Sequence, residues 1–119
     1  MQKNFLLNAD EFPSLKILDL KIPIVDIRRV EEWKETGIIK GAIAITFFDK
    51  KNNYNMKDFL EKLNKKIDTK KPFSLICKSG HRTKIVSDLL SKDNNYKIIN
   101  LKGGMIYAKN KNLPIMEYK

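Results

Sequence analysis

Apolar residues recur along the chain in two alternating patterns: short β-branched runs, and stripes spaced by three and four. Ile22-Pro23-Ile24-Val25-Asp26-Ile27, Phe73-Ser74-Leu75-Ile76-Cys77 and Tyr96-Lys97-Ile98-Ile99-Asn100-Leu101 are runs of the first kind, and each predicts a buried strand. Met56, Phe59, Leu60, Leu63 and Ile67 share one face of a helix, as do Ile85, Val86, Leu89 and Leu90. A short helix from Val30 to Glu35 and a strand from Ala42 to Thr46 complete the series. Such alternation predicts a parallel sheet covered by helices on both sides. Between Leu6 and Leu20 the apolar positions follow neither period, and a short helix is expected after Pro13. Asp49 to Asn55 and Asp68 to Pro72 are polar connections, and no internal repeat is visible.

The 119 residues contain no Pro/Gly/Ser-rich linker, which points to one domain over 1–119. An apolar content of 42% is enough for a single core. The net charge of +10 carries less information than its size suggests. Of 24 basic residues only Arg28, Arg29 and Arg82 are Arg, and the Lys pairs at 50–51, 65–66 and 70–71 fall at element ends and in loops. A nucleic-acid surface needs basic residues gathered with stacking aromatics, so no nucleic-acid partner is expected. Positive potential still favours small anionic substrates.

No apolar run approaches the ~20 residues of a membrane span, and Met1 to Asn8 lacks the features of a signal peptide. A cytoplasmic protein without a membrane partner is the expectation. One cysteine excludes an internal disulfide and a resolving thiol within the chain. Neither a metal nor a cofactor is expected.

Candidate chemistry gathers after the central strand, in Cys77-Lys78-Ser79-Gly80-His81-Arg82-Thr83. Ligand sites of open parallel sheets lie where strands end and the chain turns into the next helix. Gly80 permits a positive φ, which lets backbone N–H groups converge. Those amides, a helix starting near Arg82, Lys78 and Arg82 together favour a thiolate at Cys77 over a thiol. Arg82 can hold an oxyanion in two-point contact, and Ser79 and Thr83 supply hydroxyls. A cysteine serving only as a small core hydrophobe would gain nothing from a cationic, glycine-bearing turn. Upstream, Asp26 and Arg28 stand two apart at a strand end. They project to the same side, where they can pair with each other or with backbone near the loop.

From about Ile22 to Ile115 the chain resembles a rhodanese-homology domain. Three blocks carry the resemblance: Asp26-Ile27-Arg28-Arg29-Val30-Glu31-Glu32-Trp33 with Thr36-Gly37-Ile38-Ile39-Lys40-Gly41-Ala42; the cysteine loop; and Leu101-Lys102-Gly103-Gly104-Met105 with Leu113-Pro114-Ile115. The resemblance implies a rhodanese-like three-layer α/β/α domain with a central, mostly parallel sheet of about five strands. It also implies a thiosulfate sulfurtransferase-like enzyme. Cys77 would be its catalytic residue, taking a sulfane sulfur from thiosulfate or a persulfide and passing it to a thiophilic acceptor. Lys78, Ser79, Gly80, His81, Arg82 and Thr83 form the substrate loop, and Asp26 and Arg28 support the scaffold. His81 is expected to face solvent, Trp33 to pack, and Gly41 and Gly103-Gly104 to serve turns and close packing.

Two other classes remain beside this one. The first is a persulfide carrier or regulatory module in a protein sulfur relay. The second is a phosphatase or arsenate reductase of the same fold, disfavoured because its loop has one more residue between Cys and Arg than the C-x4-R seen here. The chain departs from the family pattern at Val30, Ile38, Ala108 and Asn112, positions that do no chemistry. At Ala108 looser packing or a wider pocket mouth is expected.

Overall fold

The computed structural model describes residues 9–93 and 96–119; the readings made on Met1 to Asn8 lie outside it. Along the chain run β1 (Asp10–Glu11), α1 (Leu15–Asp19), β2 (Ile24–Asp26), α2 (Val30–Thr36), β3 (Ile38–Ile39), β4 (Ile43–Ala44), α3 (Met56–Lys66), β5 (Phe73–Ile76), α4 (His81–Asp93), β6 (Ile98–Leu101), α5 (Gly104–Asn110) and β7 (Ile115–Met116). A five-stranded sheet has the order β1-β6-β5-β2-β4, and each of its neighbouring pairs is parallel. β3 and β7 form a separate antiparallel pair.

Strand pleat explains how one sheet makes two cores. Successive side chains point to opposite faces. Val25, Ile27, Phe73, Leu75, Cys77 and Ile98 face one side, where Phe59 and Leu63 of α3 and Val86 and Leu90 of α4 cover them. Ile24, Ile76, Ile99 and Leu101 face the other, covered by Ile17 of α1 and by Met105 and Ala108 of α5. β5 is buried at every position because it lies in the middle of the order. The predicted three-layer parallel fold is therefore the observed one.

Local signals account for the helix starts. Ser14 caps α1 by accepting from the Ile17 N–H at 3.2 Å, and Asn55 caps α3 by accepting from the Asp58 N–H at 3.0 Å. The helix expected after Pro13 is α1, and α4 begins at His81, one residue earlier than read. β1, β3, β7 and α5 were not anticipated. The three strands are two residues long, too short for any periodicity, and α5 opens on the glycine pair that was assigned to a turn. Ala108, expected to loosen packing, is wholly buried against Met105 and the sheet. Asn112 sits at φ +56, a left-handed conformation that Asn tolerates.

Candidate active site

The seven-residue loop leaves β5 at Cys77 and ends in the first turn of α4. Two close approaches shape it. The N–H groups of Met105 and Ile106 donate to the carbonyls of Cys77 (2.8 Å) and Lys78 (3.1 Å), tying the loop to the start of α5. This contact requires Gly104: its φ is +55, and an added Cβ would collide with the Cys77 carbonyl and stand 2.6 Å from that of Lys78. Because a trans peptide sends its N–H opposite its C=O, the Lys78 and Ser79 amides are turned away from α5. At Gly80, φ is +96 and a Cβ would lie 3.0 Å from the Gly103 nitrogen, so the loop and the Lys102-Gly103 turn touch backbone to backbone.

Cys77 is 1% exposed and forms the floor of this loop. Its Sγ accepts the Gly80 N–H at 3.2 Å and lies 3.7 Å from Thr83 Oγ1. Beyond Gly80 come the first N–H groups of α4, which have no intrahelical acceptor and present partial positive charge. Lys78, Ser79 and His81 are exposed, whereas Thr83 is fully buried beneath the sulfur. Thr83 Oγ1 also lies 3.1 Å from Gly80 O, within hydrogen-bond reach, and makes a short hydrogen bond to Asn100 Oδ1.

Arg82 is engaged by a residue to which sequence reading gave no role. Its Nη1 and Nη2 donate to the two carboxylate oxygens of Glu32 at 2.8 and 2.7 Å, a two-point pair across α4 and α2. These hydrogen bonds hold the Glu32 carboxyl down from the ordinary 4.5 to about 2, against the opposing effect of burial and with help from the Arg29 N–H. They also raise Arg82 above its ordinary value, and the Cys77 sulfur adds a smaller pull in the same direction. Glu32 was legible only as a letter of the first block. Its side chain meets Arg82 through tertiary folding across 50 positions of sequence.

Below the loop, Asp26 and Arg28 pair as anticipated. Arg28 Nη2 is 2.8 Å from Asp26 Oδ2 and Arg28 Nε is 2.9 Å from Asp26 Oδ1, with both side chains buried. Arg28 further donates to Thr36 Oγ1 and Gly37 O, each at 2.7 Å, so one guanidinium locks β2 to the end of α2. Trp33 packs as expected, against Tyr118, and its Nε1 also donates to Asp26 Oδ1 at 3.0 Å. Two hollows flank the loop. One of about 110 Å³ is bordered by Glu32, Lys78, Met105, Ile106 and Lys109, and one of about 300 Å³ by Phe48, Asn52, His81, Arg82 and Ile85. Among the described residues, no three or more His, Cys, Asp or Glu cluster to hold a metal ion, and no helix is long and apolar enough to cross a membrane.

A buried cysteine whose Sγ accepts the Gly80 N–H thus stands at the carboxyl end of the central parallel strand of an α/β protein. The family model of the rhodanese-like domain matches residues 9–109. The uncharacterized protein RP600 of Rickettsia prowazekii is 32% identical over 94 residues, 76% of this chain and 75% of the relative. The chain belongs to the rhodanese-like domain family. Among solved structures, Rv0390 from M. tuberculosis superposes with a TM-score of 0.72 at 18% identity, covering 95% of this chain and 100% of that one. A rhodanese-like domain protein from Staphylococcus aureus gives a TM-score of 0.62 at 26% identity, covering 87% and 92%.

Proposed function

We propose that the protein is a sulfurtransferase in which Cys77 carries a sulfane sulfur as a persulfide. The observation that supports this reading most is the position of Sγ at the floor of the C-x4-R loop, hydrogen-bonded to the Gly80 amide at 3.2 Å. The Cys77 thiolate attacks the outer sulfur of thiosulfate or of a persulfide. The donor's S–S bond breaks, sulfite or a thiolate leaves with the bonding pair, and Cys77-S-S⁻ forms. An acceptor thiolate or another soft nucleophile then attacks the outer sulfur and returns Cys77 as thiolate. Two half reactions of this kind give ping-pong kinetics.

The outer sulfur's charge is met by the loop amides and the start of α4. Exposed Lys78 meets the donor's anionic group, while Arg82, its charge answered by Glu32, ties α4 to α2 and holds the start of α4 at the loop. A sulfur 1% exposed at the bottom of a short ring suits slim, two-coordinate sulfur better than a phosphoryl group with three equatorial oxygens. A second reading, a persulfide carrier between proteins, is favoured by one observation. Glu32 already occupies the two-point face of Arg82, which leaves donor recognition to Lys78 and backbone and asks little of a small dianion.

Intact-mass measurement after exposure to thiosulfate, and separately to a protein persulfide donor, tests both. Wild type is expected to gain one sulfur and Cys77→Ala none. Equal gain by Cys77→Ala, or no gain by wild type from either donor, would remove the reading. Loading from the protein donor alone would select the carrier.

A further inference from the structure

A chain of hydrogen bonds runs from the sulfur to the edge of the sheet, behind the loop and away from its mouth. Thr83 Oγ1, 3.7 Å from Sγ, is bonded to Asn100 Oδ1, and Asn100 Nδ2 donates to Asp10 Oδ1 at 2.9 Å. Thr83 and Asn100 are buried polar residues, and the chain needs three strands to assemble. Asn100 on β6 pairs in register with Leu75 of β5 on one side and with Asp10 of β1 on the other. Its side chain shares the sheet face of Ile98, beneath α4.

Proton counting gives this chain a direction. An ionised Asp10 only accepts, so the Asn100 amide nitrogen must face it and the amide oxygen must face Thr83. Thr83 has one proton. Two oxygens compete for it, Asn100 Oδ1 and, at 3.1 Å, Gly80 O; the short contact with Oδ1 needs a hydrogen between the two oxygens, so the proton goes to Asn100 and only lone pairs are left toward Gly80 O and Cys77. A thiol fits this arrangement, because its S–H donates to Thr83 and every donor is used in turn. A bare thiolate does not, since taking the Thr83 proton would leave two oxygens facing each other at close contact without a hydrogen between them. In a persulfide, Sγ bears no proton and the charge lies on the outer sulfur, so the chain stays intact.

We propose that Asp10, acting through Asn100, aims the Thr83 hydroxyl away from Cys77, withholding stabilisation from the bare thiolate and not from the sulfur-loaded state. Asp10 and Asn100 are thereby positioning residues for Cys77. The advantage to sulfur loading rests on the sulfurtransferase reading, whereas the geometry does not. The other charged groups around the sulfur are Lys78 and His81 of the loop, Arg82 with Glu32 from α4 and α2, and the Asp26–Arg28 pair below β2. None of them is altered by the variants that follow.

Thiolate absorbance and the rate of iodoacetamide alkylation, both followed against pH, test the proposal on the whole protein without any sulfur donor. In Asp10→Ala the Asn100 amide can turn over, donate to Thr83 and release its proton, which a thiolate at Sγ draws in preference to the neutral Gly80 carbonyl. The curve is expected to move to lower pH, with about five-fold more thiolate below the transition, the effect of one ordinary hydrogen bond. The alkaline plateau of the rate should fall by about half, because a better stabilised thiolate is a weaker nucleophile. Asp10→Asn keeps a carbonyl facing Asn100 and should behave as wild type. In a Thr83→Val background, Asp10→Ala should change nothing further. The proposal is overturned if Asp10→Asn matches Asp10→Ala, which would make charge the cause. Persistence of the shift beside Thr83→Val, or its absence in Asp10→Ala alone, would overturn it equally. Persulfide loading is a separate measurement, so either idea can fail while the other stands.

Discussion

Replacing Glu32 by Gln removes the charge that answers Arg82 while keeping the size of the side chain and an oxygen able to accept the Arg29 N–H. The acid sensitivity of the fold follows from the same pair. Glu32 titrates at about 2 in the folded protein and near 4.5 when unfolded. Between those values the unfolded chain binds more protons, so stability is complete above about 4.5 and is lost as the pH falls toward 2. At about 1.4 kcal/mol for each pH unit the contribution is on the order of 3 kcal/mol. Both side chains remain about one-fifth in water, 20% for Arg82 and 21% for Glu32, and screening brings this to roughly 2 kcal/mol. Urea unfolding followed by circular dichroism, at neutral pH and again inside the acid window, measures it. At neutral pH, Glu32→Gln is expected to lower the midpoint by about 1 M, for an ordinary dependence of 1–3 kcal/mol per molar urea. Inside the window the difference between the two proteins should close. If wild type and Glu32→Gln lose the same stability between neutral pH and the window, the pair contributes nothing and the account of Arg82 is wrong.

Two further substitutions probe the frame around the loop. Arg28→Ala strands the Asp26 carboxylate in a buried place, so a loss of roughly 3–5 kcal/mol in urea unfolding is expected; a loss under ~1 kcal/mol would show that Trp33 and backbone suffice for Asp26. Gly104→Ala drives a Cβ into the carbonyls of Cys77 and Lys78 at a positive φ. A cost of about 2–4 kcal/mol is expected together with altered Cys77 alkylation, and unchanged reactivity would mean that α5 does not shape the loop.

The sequence by itself determined the layers, the central strand and the loop. Those features are local: β-branched runs for β2, β5 and β6, a three-four stripe for α3, and a Cys-to-Thr segment whose residues are neighbours in the chain. The Asp26–Arg28 pair was legible for the same reason, because two positions along a strand share a face. Only the tertiary structure decided what surrounds those pieces. Glu32 reaches Arg82 across two helices, Asn100 reaches Thr83 across a sheet face, and Asp10 joins them from a two-residue edge strand. No period or spacing encodes such meetings, since they depend on strand order and register, which are settled by how the whole core packs. The cysteine could be read from the chain, but the partners that set its proton and hold its arginine could not.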